Sequence, residues 1–358
     1  MKKWYAQLAV GIAVSAVFLW IAARDVSIAE VWRVMRDAKP GWLIWVALFS
    51  VLSLHARAYR WKLLFAHLRP VATRSLFASQ ALGFAANTVL PLRAGEAVKA
   101  YSIGRKEELP FSTAFATVVL ERVFDMLTVG AMLALAVMLV PIPESAGRQL
   151  TSAVRLAGAV AGLVTALILA LMLFRGPLLG WLDRLVSRLP RRVGESLLAT
   201  VHSFVDGLDA LTDLRQLLML LLASVYVWAT LAAPFGLAAV AMGLDASYGI
   251  PLFRLAIVAT TMVAVFVMIP AAPGFVGTYQ AGCIVALGIF GVSKSEALAY
   301  SLLVHALTYI PPTLLGLFFL TSERVTLRQA TCTQADARSA PQTNVDPSEG
   351  GPPESGWQ

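Results

Sequence analysis

Long apolar runs, separated by short charged segments, dominate the hydrophobic pattern of this chain. Most of the runs reach about 18 residues or more, the length that an α-helix needs to cross the hydrocarbon core of a bilayer. The first run follows Lys2 and Lys3 and is too long for the apolar part of a cleaved signal peptide. The pattern predicts spanning helices at residues 4–23, 41–59, 111–140, 152–174, 217–242 and 300–320.

Two further apolar stretches are interrupted. Residues 76–91 are too short to cross and run into Pro91 and Gly95, so they are predicted to be re-entrant, which requires protein or water around the irregular backbone. Residues 252–290 are broken at the proline- and glycine-rich residues 270–277 into two segments of about 17 residues. The predicted fold is all-α, a polytopic membrane helix bundle of about eight spans plus one or two re-entrant or broken segments.

Three segments differ in composition from the spans. Residues 24–40 read as a short amphipathic link of mixed charge. Residues 175–215 carry eleven charges and have apolar residues at helical spacing, which predicts two amphipathic helices at about 177–213 on the cytoplasmic face. Residues 326–358 are polar and rich in Pro, Gly and Ser, so a disordered cytoplasmic tail is predicted after one transmembrane domain at 1–325.

Composition and charge support a membrane protein and set its orientation. Only 14% of the 358 residues are charged and 58% are apolar, whereas soluble domains are about 25% charged. The net charge of +8 is a topology signal rather than a sign of nucleic-acid binding, because cytoplasmic loops hold the excess of Lys and Arg. With the N-terminus inside, 20 of the 29 Lys and Arg are cytoplasmic. We therefore expect a multi-pass protein of the cell inner (cytoplasmic) membrane with both termini in the cytoplasm and no nucleic acid as partner.

No cofactor is expected from the sequence. Cys283 and Cys332 form no CxxC pair, and the four histidines are scattered singly, so metal and redox chemistry are not predicted. A phosphate-binding GxxxxGK[ST] loop is also missing from the sequence. Nucleotide binding by a loop of this type is therefore not predicted either.

Polar and charged residues gather around the first break and in the helix after it. Glu121 and Asp125 are four residues apart and share one helix face, whereas Arg122 is turned about 100° away. Two carboxylates on one face need a cationic partner, and Arg93 or Lys99 is expected to supply it. The candidate substrate-binding residues of this group are Asn87, Arg93, Glu96, Glu121, Arg122 and Asp125.

Ionisable groups at membrane depth are costly unless they are paired or wetted, so they usually mark a pathway or a site. The cluster therefore favours a polar substrate or headgroup pathway. Two alternatives remain open at this point, and both are structural. The charges form an ion-pair staple that fixes the broken segment, or their side chains snorkel to the cytoplasmic headgroups.

The second group of candidates lies at the later break. Prolines and glycines interrupt the helix there, and backbone amides at the start of the next half-helix are free to face an anion. Breaks at corresponding positions of two halves point to a transporter site at the repeat interface. The alternative is a tight turn between two spans. The candidate substrate-binding residues here are Pro273, Gly274, Gly277 and Gln280.

These residues carry a resemblance to a known family. The order N-x(3)-P-x-R-x-G-E, followed by E-R-x(2)-D between Asn87 and Asp125, resembles the flippase-like family typified by the transmembrane domain of lysylphosphatidylglycerol synthases. Pro273-Gly274 and Gly277 continue the likeness, which covers roughly residues 5–325. It implies movement of lipids or lipid-linked headgroups between leaflets.

The chain departs from that family in three places. Gln280 stands where many members carry a glutamate, and His305 stands where an arginine is common. A charged headgroup or a proton at those two positions is therefore not implied. Only the polar tail follows the last predicted span, so aminoacyl-lipid synthesis by this chain alone is not expected.

The sequence thus favours a lipid or lipid-linked headgroup translocase that is not an enzyme, with membrane phospholipids or polyprenyl-linked lipids as partners. One alternative is a membrane-embedded enzyme that uses Glu121 or Asp125 as general base on a lipid-linked substrate. Another is an accessory subunit of an envelope-lipid synthesis complex. A homodimer or an envelope-synthesis partner remains open.

Overall fold

The computed structural model describes residues 2–24, 26–66, 68–90, 94–139, 159, 162–163, 214–269 and 272–322. Every regular element in these ranges is helical. The elements are α1 (Lys2–Ala23), α2 (Ile28–Arg36), α3 (Pro40–Phe65), α4 (Thr73–Val89), α5 (Gly95–Lys106), α6 (Phe111–Leu139), α7 (Leu214–Met242), α8 (Leu244–Tyr248), α9 (Leu252–Val267), α10 (Thr278–Gly288) and α11 (Lys294–Ser322), with a 3-10 turn at Pro273–Phe275.

Four of the described helices, α3, α6, α7 and α11, are long and apolar enough to cross a membrane. At 1.5 Å per residue, helices of this length reach roughly 40 Å, more than the ~30 Å of a bilayer core. A fifth candidate exists if Gly11–Ala23 and α2, which meet at 84°, are taken as one bent span. The all-helical membrane architecture is therefore confirmed, whereas eight spans are not shown.

The count differs from the expected one mainly at the later break. The helices α9 and α10 have 16 and 11 residues, and helices of that length extend only roughly 16–24 Å, too short to cross a bilayer core alone. The prediction divided the residues of the break between two spans, but they extend neither α9 nor α10. The predicted span 152–174, the amphipathic helices at about 177–213 and the tail at 326–358 lie outside the described residues.

The amphipathic link that the sequence predicts at 24–40 is present as the helix α2. Its first turn is capped by Ser27, whose side chain accepts a hydrogen bond from the backbone nitrogen of Glu30 at 3.3 Å. Arg33 and Arg36 lie in its last turn, where cations favour the helix dipole. Because α2 meets Gly11–Ala23 at 84°, the link turns the chain sharply between α1 and α3.

The described helices enclose two large apolar cores and two smaller ones. One large core lies among α7, α9, α10 and α11, around buried Leu255 and Tyr300. The other large core lies where α3 to α6 meet, around buried Trp61 and Phe124. Large apolar side chains such as Leu222 also cover outward faces of the long helices, which a soluble protein avoids and a lipid-facing surface requires.

Small residues let α4 and α11 approach closely. A Cβ atom at Gly316 of α11 would lie 2.2 Å from the carbonyl oxygen of Ala81 and 2.5 Å from the Cβ of Ala85, both on α4. Membrane helices commonly associate through such small residues, because close packing replaces the hydrophobic driving force of water. This contact fixes α4, and with it the first break, against the last long helix.

We expect Gly316→Ala to destabilise the protein by about 1–3 kcal/mol, because its methyl group forces the two helix backbones apart. Gly236→Ala in α7 is the matched control, since a Cβ atom there meets its nearest neighbour at an ordinary 3.6 Å. The measurement is the midpoint of thermal unfolding in mild detergent. Equal midpoints for both variants would contradict close packing of α4 on α11.

Candidate functional site

A network of buried ion pairs joins α3, α5 and α6. Arg60 of α3 and Glu121 of α6 have fully buried side chains. Arg60 Nη2 donates to Asp125 Oδ1 at 2.6 Å and lies 3.4 Å from Glu121 Oε1. The two carboxylates on one face of α6 are therefore bridged by one guanidinium, which cancels the repulsion between them.

Lys99 brings the second cation to Glu121 from α5. Its ammonium group pairs with Glu121 Oε2 and lies 4.0 Å from the centroid of the Trp61 ring. Trp61 in turn donates from Nε1 to the hydroxyl of Thr117 at 2.9 Å. The ammonium thus sits between a carboxylate and an aromatic face, both of which favour its charge.

Arg122 links this network to the start of α5. Its Nη2 atom lies 3.2 Å from Asp125 Oδ2, and its Nε atom lies 3.6 Å from Glu96 Oε1. The side chain is long enough to reach back to the carboxylates, although its Cβ points away from them on the helical wheel. The staple that the sequence leaves open as an alternative is therefore present, and it involves more residues than predicted.

The predicted partners are only partly the observed ones. Lys99 is confirmed as a partner of Glu121, whereas Arg93 lies outside the described residues. The main partner, Arg60, is not among the predicted ones, because its place in the sequence assigns it to the cytoplasmic Lys and Arg. The available signal was its position near the end of an apolar helix, where a cation faces either headgroups or protein.

The first break is closed by an amide. The helix α4 ends at Val89 and α5 begins at Gly95. The backbone nitrogen of Gly95 donates to Asn87 Oδ1 at 2.8 Å, so Asn87 satisfies one of the unpaired amides at the start of α5. In the described structure Asn87 thus has a role in shaping the break.

The second break is held by hydrogen bonds between neutral groups. Ser15 of α1 accepts from the backbone nitrogen of Ala272 at 2.8 Å. Gly277 adopts φ = 92°, and a Cβ atom there would lie 2.5 Å from the carbonyl oxygen of Ser15, so only glycine fits this turn. Pro270, which the sequence places in this break, lies outside the described residues.

Gln280 and His305 lock the same turn from inside. Gln280 Oε1 accepts from the backbone nitrogen of Gly277 at 2.7 Å, and its Nε2 atom donates to His305 Nδ1 at 2.9 Å. His305 Nε2 donates to the carbonyl oxygen of Gly274 at 3.0 Å. Both side chains are therefore used to hold the loop in a neutral hydrogen-bonded arrangement.

The two breaks meet at one cavity of about 150 Å³. One wall carries charged and amide side chains, and the other carries the apolar and aromatic side chains of Val267, Phe275 and Tyr309. The polar wall consists of Arg57, Gln80, Asn87, Glu96, Lys99 and Arg122. The juxtaposition that the sequence indicates from two separate breaks is thus present as a shared pocket between them.

The candidate residues divide into three groups around this cavity. Asn87, Glu96 and Arg122 line it. Glu121 and Asp125 are not among the lining residues and lie in the ion-pair network behind it. The third group belongs to the later break and shapes its loop. Its members are Pro273, Gly274, Gly277 and Gln280. Substrate binding by this group stays a prediction. Arg57 and Gln80 line the cavity and were missed.

The described residues include no group of three or more His, Cys, Asp or Glu side chains placed to hold a metal ion. Cys283 is buried in the apolar core around α10. The polar atoms at the cavity are instead amides, guanidinium groups, an ammonium group and carboxylates, which suit a charged or hydrogen-bonding organic group.

The chain matches the family model described as the lysylphosphatidylglycerol synthase TM region over residues 8–316, which confirms the resemblance. Glycosyltransferase AglD of Haloferax volcanii is 30% identical over 157 residues, which are 42% of this chain and 24% of that protein. UPF0104 membrane protein MJ1595 of Methanocaldococcus jannaschii is 28% identical over 115 residues, 31% of this chain and 34% of that protein. The chain thus spans about a quarter to a third of the length of these curated relatives.

We expect Lys99→Met to lower the stability by up to about 3–5 kcal/mol, because it leaves part of the charge on buried Glu121 uncompensated. Adding Glu121→Gln should recover much of the loss, since Arg60 keeps its bond to Asp125. Arg105→Met, at an exposed position of the same helix α5, is the matched control and should behave as wild type. Thermal unfolding midpoints in detergent measure the order, and a double variant as unstable as the sum of the single ones would contradict the pairing.

Proposed function

Since this chain belongs to the lysylphosphatidylglycerol synthase TM region family and is an integral membrane protein, we propose that it is a lipid translocase. In this proposal it moves the polar headgroups of phospholipids or polyprenyl-linked lipids between the leaflets of the cytoplasmic membrane. The lipids are its partners, and it catalyses no covalent reaction.

The observation that carries the proposal is the cavity between the two helix breaks. It puts charged and amide side chains beside an apolar and aromatic wall, within a bundle that contains four candidate spans. A lipid headgroup needs polar contacts while it crosses, because moving it bare through hydrocarbon is costly. Its acyl chains can stay in the surrounding bilayer.

The ion pairs that the carboxylates form favour movement of a lipid over catalysis on it. A general base must have a free oxygen within hydrogen-bond reach of the substrate. Glu121 is held by Lys99 and Arg60, and Asp125 by Arg60 and Arg122. Glu96 lines the cavity, and its Oε1 atom lies 3.6 Å from Arg122 Nε. Its charge is therefore also compensated within the ion-pair network.

The proposed orientation places both termini in the cytoplasm. Its support is the distribution of Lys and Arg, of which 20 of 29 then lie inside. Basic residues near the inner surface attract anionic lipids by about 1 kcal/mol each. This attraction concentrates headgroups at the side from which the first break begins.

The direct test uses the purified full chain in liposomes that carry headgroup-labelled lipids on both leaflets. An impermeant quencher bleaches the outer leaflet at once and the inner leaflet only as fast as lipids cross. We expect the protein to speed the slow phase for at least one lipid of a panel of phosphatidylglycerol, aminoacylated phospholipid and polyprenyl-linked sugar. The last is included because one relative is named a glycosyltransferase.

A reversible cross-link serves as the internal control of this assay. Thr313 Oγ1 of α11 donates to Thr88 Oγ1 beside the first break at 3.3 Å, so cysteines at both positions are close enough to be oxidised to a disulfide. We expect oxidised Thr88→Cys/Thr313→Cys to lose the acceleration and a reductant to restore it, because alternating access requires the two halves to move. The single-cysteine variants, with Cys283 and Cys332 replaced, should stay active.

Three results would count against the proposal or a part of it. If the wild-type protein does not raise the crossing rate of any lipid in the panel, translocation is excluded for those lipids. An accessory role in envelope-lipid synthesis then becomes the better hypothesis. If a labelled lipid is instead chemically converted, the protein is an enzyme. Unchanged rates in the oxidised double variant would show that the breaks do not move during transport.

The orientation has a separate test with two exposed positions, Ala29 in α2 and Ser112 at the start of α6. In a chain without Cys283 and Cys332, we expect Ala29→Cys to react with a membrane-impermeant thiol reagent added to intact cells. Ser112→Cys should react only after the cells are opened. The reverse pattern would invert the topology.

A further inference from the structure

Arg57 is the one cation of the cluster that makes no ion pair or hydrogen bond with a described residue. It lies one helical turn before Arg60 on α3 and lines the cavity. Arg60 binds two carboxylates, whereas no ion pair or hydrogen bond joins Arg57 to any described residue. Its charge interacts with the carboxylates of Asp125 and Glu121 as well as with the like charges of Arg122 and Arg60, but without an ion pair to either carboxylate.

Gln80 of α4 provides a second, independent sign of a missing ligand. Its side chain lines the cavity, is only 4% exposed, and its Oε1 atom has no hydrogen-bond partner. Buried amides are nearly always satisfied in native proteins, because leaving one unpaired is unfavourable. A ligand with a hydroxyl or amino group in the cavity would supply the donor that Gln80 lacks.

The charge of the described cluster indicates what kind of ligand fits. Four cations, Arg57, Arg60, Lys99 and Arg122, face three carboxylates, Glu96, Glu121 and Asp125. The excess is one positive charge, and it resides on Arg57. One negative charge on a ligand therefore brings the cluster to neutrality, which matters because an uncompensated charge at membrane depth is unfavourable.

The start of α5 adds to the preference for an anion. Its first residues, Gly95 and Glu96, line the cavity, and its N-cap residue, Ala94, makes no side-chain hydrogen bond to the helix. Backbone amides and the helix dipole at such an end favour negative charge. Glu96, the acidic residue of the first turn, meets part of this preference, and its carboxylate also lies 3.6 Å from Arg122 Nε.

We infer that Arg57 and Gln80 form a subsite for the headgroup of a singly charged phospholipid. Arg57 binds a phosphate oxygen, and Gln80 Oε1 accepts a hydrogen bond from a hydroxyl or amino group of the same headgroup. The inference rests on the proposed function, since it names the lipid that this cavity takes. A cavity of about 150 Å³ holds a group about the size of benzene, which admits a phosphate and a few attached atoms but no acyl chain.

The test measures binding of short-chain phosphatidylglycerol to the purified full chain in a neutral detergent by calorimetry. We expect Arg57→Gln to weaken the affinity about tenfold or more, and Gln80→Leu to weaken it roughly twofold to tenfold. Lys62→Gln, at an exposed position of the same helix α3, is the matched control and should bind as wild type. The corresponding short-chain diacylglycerol, which has no phosphate, should not compete.

Thermal unfolding of the lipid-free variants separates binding from folding. Arg57→Gln and Gln80→Leu should be as stable as wild type or more stable. Gln80→Leu removes a buried unsatisfied oxygen, and Arg57→Gln removes the excess positive charge of the described cluster. Reduced binding without reduced stability is the expected signature of a ligand site. If Arg57→Gln does not fold, Gln80→Leu decides by the same two measurements.

Wild-type affinity in both variants, or equal binding of diacylglycerol, would overturn the subsite. Displacement by soluble glycerophosphoglycerol at similar concentrations would support the phosphate chemistry and identify a free phosphodiester, rather than a lipid, as its source. Binding that depends on Arg57, combined with no lipid movement in liposomes, would mean that translocation alone fails. Equal transport by wild type and Arg57→Gln would mean that this subsite alone fails.

Discussion

The charge on Glu121 must be compensated inside the helix bundle, and this requirement governs the arrangement around it. Its side chain has no exposed surface, so water does not stabilise it, and an isolated charge there would be very unfavourable. Arg60 reaches it from α3 and Lys99 from α5. Because each contact needs a particular distance and direction, three helices far apart in sequence are fixed relative to one another.

This anchoring explains how a broken helix can be held rigidly. The helix α5 is short and follows an interrupted segment, so its own backbone hydrogen bonds do not orient it against the bundle. Lys99 does so through Glu121, and Glu96 does so through Arg122. Buried ion pairs contribute little net stability, but they fix position well, which is the role they have at this break.

The two breaks are stabilised by different chemistry. The first depends on ion pairs, and the second on neutral hydrogen bonds from Ser15, Gln280 and His305. The cavity between them consequently has one charged wall and one apolar, aromatic wall. Such a division suits an amphipathic ligand. Gln80, whose Oε1 atom is unsatisfied, and Arg57, which makes no ion pair with a described residue, both lie on the charged wall. Departures from full pairing of polar groups are expected at functional sites.

The sequence by itself determined the features that depend on neighbouring residues. Apolar length gave the long helices α3, α6, α7 and α11, because crossing hydrocarbon requires about 20 apolar residues in a row. Proline and glycine positions gave both breaks, and the spacing of Glu121 and Asp125 gave their common face. The tertiary structure decided which distant groups meet there: Arg60 as the bridge between the carboxylates, Arg122 turned back to Asp125, and Arg57 left over at the cavity. Helical spacing fixes the direction in which a side chain leaves its own helix, but the partner it finds depends on how helices remote in sequence pack and on how far long side chains bend.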